Sequence, residues 1–290
     1  MAFQSRLCLG LRLAALTLAG VSCRDSAADA ERNAAPLTPV MVATAAVSDS
    51  VITDSTVRAS VRRGRALVSA PRESLPEHAG NSLRCVSCHL DNGRRTNAMT
   101  WIGVYARFPQ YRSRSGTVIR LEDRINDCIM RSLDGRALSY DSRDMRDIVA
   151  YMAFLSQGVP VGAEVRGQGL PRLDPLVGDT TKGLTVFRNT CSACHGQNGE
   201  GTVEAPPLWG PESYNIGAGM ARVRTAASFI RHNMPFDNPG TLTDQEAFDV
   251  ATYINTRPRP DFAGKERDWP RGDPPPDVAY KTDSAVKPRD

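Results

Sequence analysis

Cys85-Val86-Ser87-Cys88-His89 and Cys191-Ser192-Ala193-Cys194-His195 are two copies of one pattern, C-x-x-C-H. The spacing has a chemical reading. Two thiols one helical turn apart reach both vinyl groups along one edge of a porphyrin, and the adjoining His lies under the ring as proximal iron ligand. The chain has seven Cys and four His in 290 residues. At that density about 0.002 such matches are expected by chance. The two motifs therefore predict two covalently bound haem c groups. Cys85, Cys88 and His89 would hold the first, and Cys191, Cys194 and His195 the second. A thioredoxin-like thiol pair does not need the His. A zinc site would need four ligands near each motif, and only His78 and His232 are spare.

Cys8 and Cys23 lie near the N-terminus, which leaves Cys128 unassigned. An odd thiol in an exported chain calls for a role: pairing between chains, inert burial or metal ligation. Register narrows the choice. His195 to Met234 is 39 residues, and so is His89 to Cys128. The slot that holds Met in the second half holds Cys in the first. Met234 stands in Asn233-Met234-Pro235, a setting that suits an axial Met, and His/Met ligation raises a haem's potential. His232 is its competitor. For the first haem, Cys128 competes with Met130. A thiolate is the stronger donor and would lower the potential relative to Met.

Working outward from each motif, the same layout appears twice. Before the first, Ser60–Ser69 reads as helical and contains Gly64 and Leu67. Before the second, Thr181–Asn189 contains Gly183, Leu184 and Phe187. Each half closes on an amphipathic helix. One carries Met145, Ile148, Val149, Met152 and Leu155 at helical spacing. The other starts with the capping-box pair Thr243 and Glu246 and continues through Phe248, Val250, Ala251 and Ile254. Asp147-Ile148-Val149-Ala150-Tyr151 matches Asp249-Val250-Ala251-Thr252-Tyr253. Met145 and Met152 read as packing residues, not ligands. This layout resembles class I cytochrome c domains. The expected fold is all-α: two tandem class I cytochrome c-like domains, at 56–157 and 181–257, joined by a Gly/Pro-rich linker at 158–180. The Pro-rich tail 258–290 reads as extended, wrapped on the surface or disordered.

Residues 1–23 read as a leader. Arg6 and Arg12 precede an apolar run from Leu13 to Val21. Gly20-Val21-Ser22-Cys23 fits lipoprotein processing, with Cys23 as a lipid anchor, although Gly20 stands where a Leu-like residue is usual. Plain secretory cleavage is the alternative. Residues 24–55, poor in large apolar groups at their start, read as a flexible tether. The expected location is periplasmic or cell-envelope, lipid-anchored. A net charge of +4 and the lack of a basic aromatic module argue against nucleic acid. No apolar run reaches the roughly 20 residues needed to span a bilayer.

Several stretches are similar to the dihaem thiosulfate dehydrogenases. They are Ala79-Gly80-Asn81-Ser82-Leu83 leading into Cys85–Gly93, Arg107-Phe108-Pro109-Gln110-Tyr111-Arg112, Arg124-Ile125-Asn126-Asp127-Cys128 through Arg131-Ser132-Leu133-Asp134-Gly135, Asn233-Met234-Pro235, and Thr241–Ala247. The resemblance spans about residues 60–257 and is most specific around Cys128. It implies His/Cys ligation of the first haem through His89 and Cys128, and coupling of two thiosulfate ions to tetrathionate. It also implies substrate-side roles for Arg114, Arg124 and Ser132. Electrons would leave through the His195/Met234 haem to a soluble or membrane acceptor such as another cytochrome c. Asn233 departs from members that carry Lys there as an alternative ligand. The charge pattern agrees with an anionic substrate. Arg84–Arg136 holds ten Arg, no Lys and five acids, whereas Gly178–Thr256 holds five bases and eight acids. Guanidinium forks suit sulfonate oxygens as they suit phosphate. Two other functions fit the motifs: a dihaem electron-transfer cytochrome without its own substrate, and a Sox-type sulfur-transferring cytochrome.

Overall fold

The computed structural model describes residues 48–283. The leader, Cys23, residues 24–47 of the expected tether and the last seven residues lie outside the described residues. The first half is framed by α1 (Ser55–Ser69), α2 (Leu121–Arg131) and α3 (Arg143–Phe154). The second is framed by α4 (Thr180–Val186), α5 (Val223–Asn233) and α6 (Asp244–Asn255).

Four of the framing helices start on side-chain caps. Asp54 accepts from the amides of Thr56 and Val57, Ser142 from Met145, and Asp179 from Thr181 and Lys182. Thr243 and Glu246 form the reciprocal capping box, each side chain accepting from the other's amide. Each such cap satisfies amides that a helix start leaves orphaned. α4 runs on through a wide turn, Phe187–Cys191, directly into the second motif. Among the described residues the only sheet is a hairpin, β1 (Gln110–Arg112) and β2 (Thr117–Ile119), antiparallel with Gln110 opposite Ile119. It is too small to change the all-α class.

α1 packs on α3, and α4 on α6. Both crossings are made at a glycine. A Cβ on Gly64 would lie 1.9 Å from the Asp147 carbonyl oxygen, and one on Gly183 would lie 2.1 Å from that of Asp249. The backbones therefore touch where only glycine fits. Asp147 and Asp249 occupy equivalent places and are both buried. Each carboxylate is satisfied by its neighbours: Asp147 by Ser60 and Arg63, Asp249 by the Asp179 amide and Gln245.

Met145, Ile148, Tyr151 and Met152 lie in the first core with Val61, Leu67, Ile125 and Ile129. Phe187, Phe248, Val250 and Tyr253 lie in the second. Met145 is 1% exposed, which fits the packing role expected of it. The halves interlock. Tyr214, from the loop before α5, fills part of the first core. Phe229 of α5 packs with Leu90 and Ala98 of the first half, and Asn233 Nδ2 donates to the Asn97 carbonyl at 2.9 Å. The C-terminal segment docks back on the molecule. Asp268 and Trp269 are 6% and 2% exposed.

Candidate functional site

Each motif presents two free thiols and a histidine held by one nitrogen. His89 Nδ1 donates to the Met99 carbonyl at 2.6 Å, and His195 Nδ1 to that of Pro206 at 2.7 Å. Such a bond fixes the tautomer and leaves Nε2 with a lone pair for a metal. Burial lowers the pKa of both imidazoles, that of His89 to about 4, so both are neutral. Thiols with vinyl-reach spacing beside a neutral, oriented imidazole fit a covalently attached haem. Among the described residues no three His, Cys, Asp or Glu side chains converge to hold a metal ion.

Cys128 sits on α2, half-buried. Arg124, one turn earlier, donates from Nη1 to its sulfur at 2.9 Å. Proximity to the Cys128 sulfur is the main cause that holds the Arg124 pKa above its ordinary value, against burial. Burial, reinforced by Cys128, pushes the Cys85 and Cys88 thiols up to about 12. Arg124 in turn helps lower His89. Cys128 thus acts electrostatically on Cys85 and Cys88, and Arg124 on His89, while the direct contact is that of Arg124 with Cys128. Ser132, the C-cap of α2, lies one further turn along, and its amide donates to the Cys128 carbonyl at 2.7 Å. Arg124, Cys128 and Ser132 follow one another at four-residue steps on one helix face. Met130 is two residues from Cys128, about 200° round the helix, and projects elsewhere.

Arg114 goes to a different neighbourhood. It lies in the turn between β1 and β2, donates to the Gly217 carbonyl at 2.6 Å and stacks on Trp269 at 4.9 Å. Burial, then Arg131, pulls its pKa down to about 10. Arg112, at the end of β1, has its guanidinium 5.9 Å from the Phe108 ring and within electrostatic range of Arg124 and Cys128. Burial lowers its pKa, followed by the neighbouring charges of Arg124 and Arg107, while Cys128 acts in the opposite sense. Its Nε is buried with no hydrogen-bond partner among the described residues. Sequence reasoning gave Arg112 no role of its own. The signal was alternation: in a strand, Arg112 and its neighbour Tyr111 point to opposite faces.

In the second half, Met234 caps the end of α5 and packs against the second core. His232 is turned back on its own helix, its Nδ1 bonded to the Ser228 carbonyl at 2.9 Å. Cys194 is exposed, whereas burial, then Cys194, pushes Cys191 up to about 12.

Two C-x-x-C-H sites in interlocked helical halves define a dihaem c-type cytochrome. Residues 75–161 match the model of the SoxA/TsdA cytochrome c domain, and residues 180–258 that of cytochrome c. The thiosulfate dehydrogenase of Psychrobacter arcticus is 41% identical over 284 residues, 91% of this chain and 87% of that one. That of Allochromatium vinosum is 45% identical over 238 residues, 77% of this chain and 87% of its relative. The solved thiosulfate dehydrogenase TsdBA from Marichromatium purpuratum superposes with a TM-score of 0.71 at 35% identity, covering 75% of this chain and 50% of that chain. The chain belongs to the thiosulfate dehydrogenase family, oxidoreductases that carry two covalently bound haem c groups.

Proposed function

We propose that the protein oxidises two thiosulfate ions to tetrathionate at Cys128 and delivers two electrons to an external acceptor. The observation that carries this is the Arg124–Cys128 contact of 2.9 Å, in a half of the molecule where Cys128 also acts electrostatically on Cys85 and Cys88. In this reading Cys85, Cys88, Cys191 and Cys194 form the thioethers. His89 and Cys128 would hold the iron of the first haem, and His195 and Met234 that of the second. Helix geometry favours Cys128 over Met130, and the bond from His232 to its own helix favours Met234. When bound, the haem groups would supply one-electron redox chemistry, the route by which the two electrons leave the site.

The residues do the rest. Arg124, with Arg112 from β1, neutralises the sulfonate of an incoming dianion, and the Ser132 hydroxyl donates a further hydrogen bond. The Cys128 sulfur bonds to the outer sulfur of the first thiosulfate, with loss of two electrons, to give a Cys–S–S–SO3⁻ adduct. The outer sulfur of a second thiosulfate attacks the thiosulfate-derived sulfur. The Cys128 thiolate leaves and tetrathionate is released, so two thiosulfate give one tetrathionate and two electrons. Arg114, tied to Gly217 and Trp269, braces the hairpin from which Arg112 projects.

The acceptor in this reading is another cytochrome c, soluble or membrane-bound. The leader-like N-terminus and the haem-attachment motifs support a periplasmic or cell-envelope location, with Cys23 as the lipid anchor. The test of the reaction is tetrathionate formation from thiosulfate by the isolated dihaem protein with an artificial acceptor. Reduction of the haems by chemical reductants but not by thiosulfate would favour a plain electron shuttle. Turnover only with an added sulfur-carrier protein would favour a Sox-type sulfur-transferring role.

A further inference from the structure

We infer that the C-terminal segment 258–283 is a positioning strap for the Cys128 site, acting through the ion pair of Asp268 with Arg131. The inference rests on the reading of Cys128 as the reacting thiol. The segment has no long helix or strand and is rich in proline, yet it buries a carboxylate. A buried charge persists only where it is paired and hydrogen-bonded. Asp268 meets Arg131 in a two-pronged pair, Nη1–Oδ2 and Nη2–Oδ1 both at 2.8 Å. The Tyr280 hydroxyl donates to the same carboxylate at 2.6 Å, and Arg114 Nε stands 3.9 Å away. The Arg131 guanidinium also lies over the Phe262 ring at 4.2 Å.

Arg131 is the last residue of α2, three residues after Cys128. The carbonyls at that helix end are also held: Asn215 donates from its amide to Arg131 and from Nδ2 to Met130. α2 therefore cannot rotate or slide without breaking a buried ion pair and two hydrogen bonds to Asn215. The same segment grips the hairpin. The Trp269 amide donates to the Arg114 carbonyl at 2.8 Å, Arg271 stacks on Tyr111 at 4.9 Å, and a Cβ on Gly116 would strike Pro270 at 2.6 Å. One strap thus joins the helix of Cys128 and Arg124 to the strand of Arg112. A thiol that must meet a bound dianion has to be placed to a fraction of an ångström, and a misplacement of about 1 Å costs roughly a hundredfold in rate.

The experiment compares holoproteins. Asp268→Asn keeps the shape and removes the charge. Both haems should remain attached. Amide hydrogen exchange in residues 121–132 should rise roughly tenfold or more. The thiolate-ligated low-spin EPR signal of the first haem should broaden or split while the spectrum of the second is unchanged. The kcat for thiosulfate should fall by roughly ten- to a hundredfold with KM little altered, and Asp268→Glu should restore most of it. Wild-type exchange in α2 together with a wild-type thiolate signal would overturn the inference. So would a fall in kcat with α2 exchange unchanged. Cys128→Gly is the companion: survival of the thiolate signal in that variant would sink the ligand reading alone, while α2 exchange still judges the strap. If Asp268→Asn takes up no haem, Arg131→Lys, which keeps the charge and loses the fork, is read in the same way. Haem-free protein from both variants would overturn positioning in favour of a role in folding.

Discussion

A cysteine beside an arginine can serve as a ligand, a nucleophile or both, and the side chains that replace it distinguish these roles. Cys128→Gly should abolish thiosulfate oxidation while both haems stay attached. Cys128→Met should give a folded dihaem protein whose first haem shifts to higher potential, since a thioether donates less than a thiolate. It should still not turn over, because a thioether cannot form the sulfur–sulfur bond. Potentiometry and tetrathionate assay of the one variant check both halves of the statement, and near-normal turnover would make the thiol a ligand only. Arg124→Ala removes the donor 2.9 Å from that sulfur. A lost charge-assisted hydrogen bond is worth about 1.5–3 kcal/mol, so kcat/KM should fall by roughly ten- to a hundredfold, read from initial rates. Arg124, Cys128 and Ser132 were legible in the sequence because helical spacing alone aligns them. The different surroundings of Arg112 and Arg114 were not. Where Arg114 goes depends on what waits across from the hairpin, here Gly217 and Trp269, both more than a hundred residues away.

At the scale of elements, the crossing of the first and last helix of each half controls the space left for a cofactor. Gly64→Ala gains about 1 kcal/mol in helix propensity. The new methyl would sit 1.9 Å from the Asp147 carbonyl, however, and forcing backbones apart in a packed crossing costs about 1–3 kcal/mol or more. The contact should win, so Gly64→Ala should lower the melting temperature of the holoprotein. Gly183→Ala, 2.1 Å from the Asp249 carbonyl, should do the same, and a rise in either Tm would refute the crossing. The register between the halves yields a separate expectation. Met234→Ala should remove the weak near-infrared Met-to-ferric-haem band and leave the thiolate signal of the first haem. Survival of the band would point to another methionine, such as Met130. The crossing helices, the Thr243–Glu246 cap and the equivalence of the halves could be read from sequence, because local periodicity and cap chemistry specify them. The docking of the C-terminal segment could not. Its order comes from pairings such as Asp268–Arg131, which join residues 137 positions apart, and no local pattern encodes them.

Across the whole molecule the charge is divided unevenly. Ten arginines against five acids in 84–136, and eight acids against five bases in 178–256, make one half a basic field and the other an acidic one. A dianion approaching the first half is drawn in, while a basic acceptor protein is drawn to the second. Two haem propionates would offset part of the basic excess, ten less five charges, without reversing its sign. Charges in water are felt over about 10 Å at 0.1 M salt and about 3 Å at 1 M. If the arginines gather substrate, raising chloride from about 0.01 to 0.5 M should lower kcat/KM for thiosulfate severalfold. The kcat should barely change, since Arg124 is half-buried and in direct contact with the sulfur, and so is screened less than a surface charge. An uncharged artificial acceptor isolates this effect from the second half. A basic cytochrome acceptor should add a further salt-dependent loss at its own docking step. The two dependences separate the halves. Salt sensitivity confined to the protein acceptor would mean that the arginines of the first half are neutralised in place. Substrate capture would then rest on the few guanidiniums that touch it, not on the field of the domain.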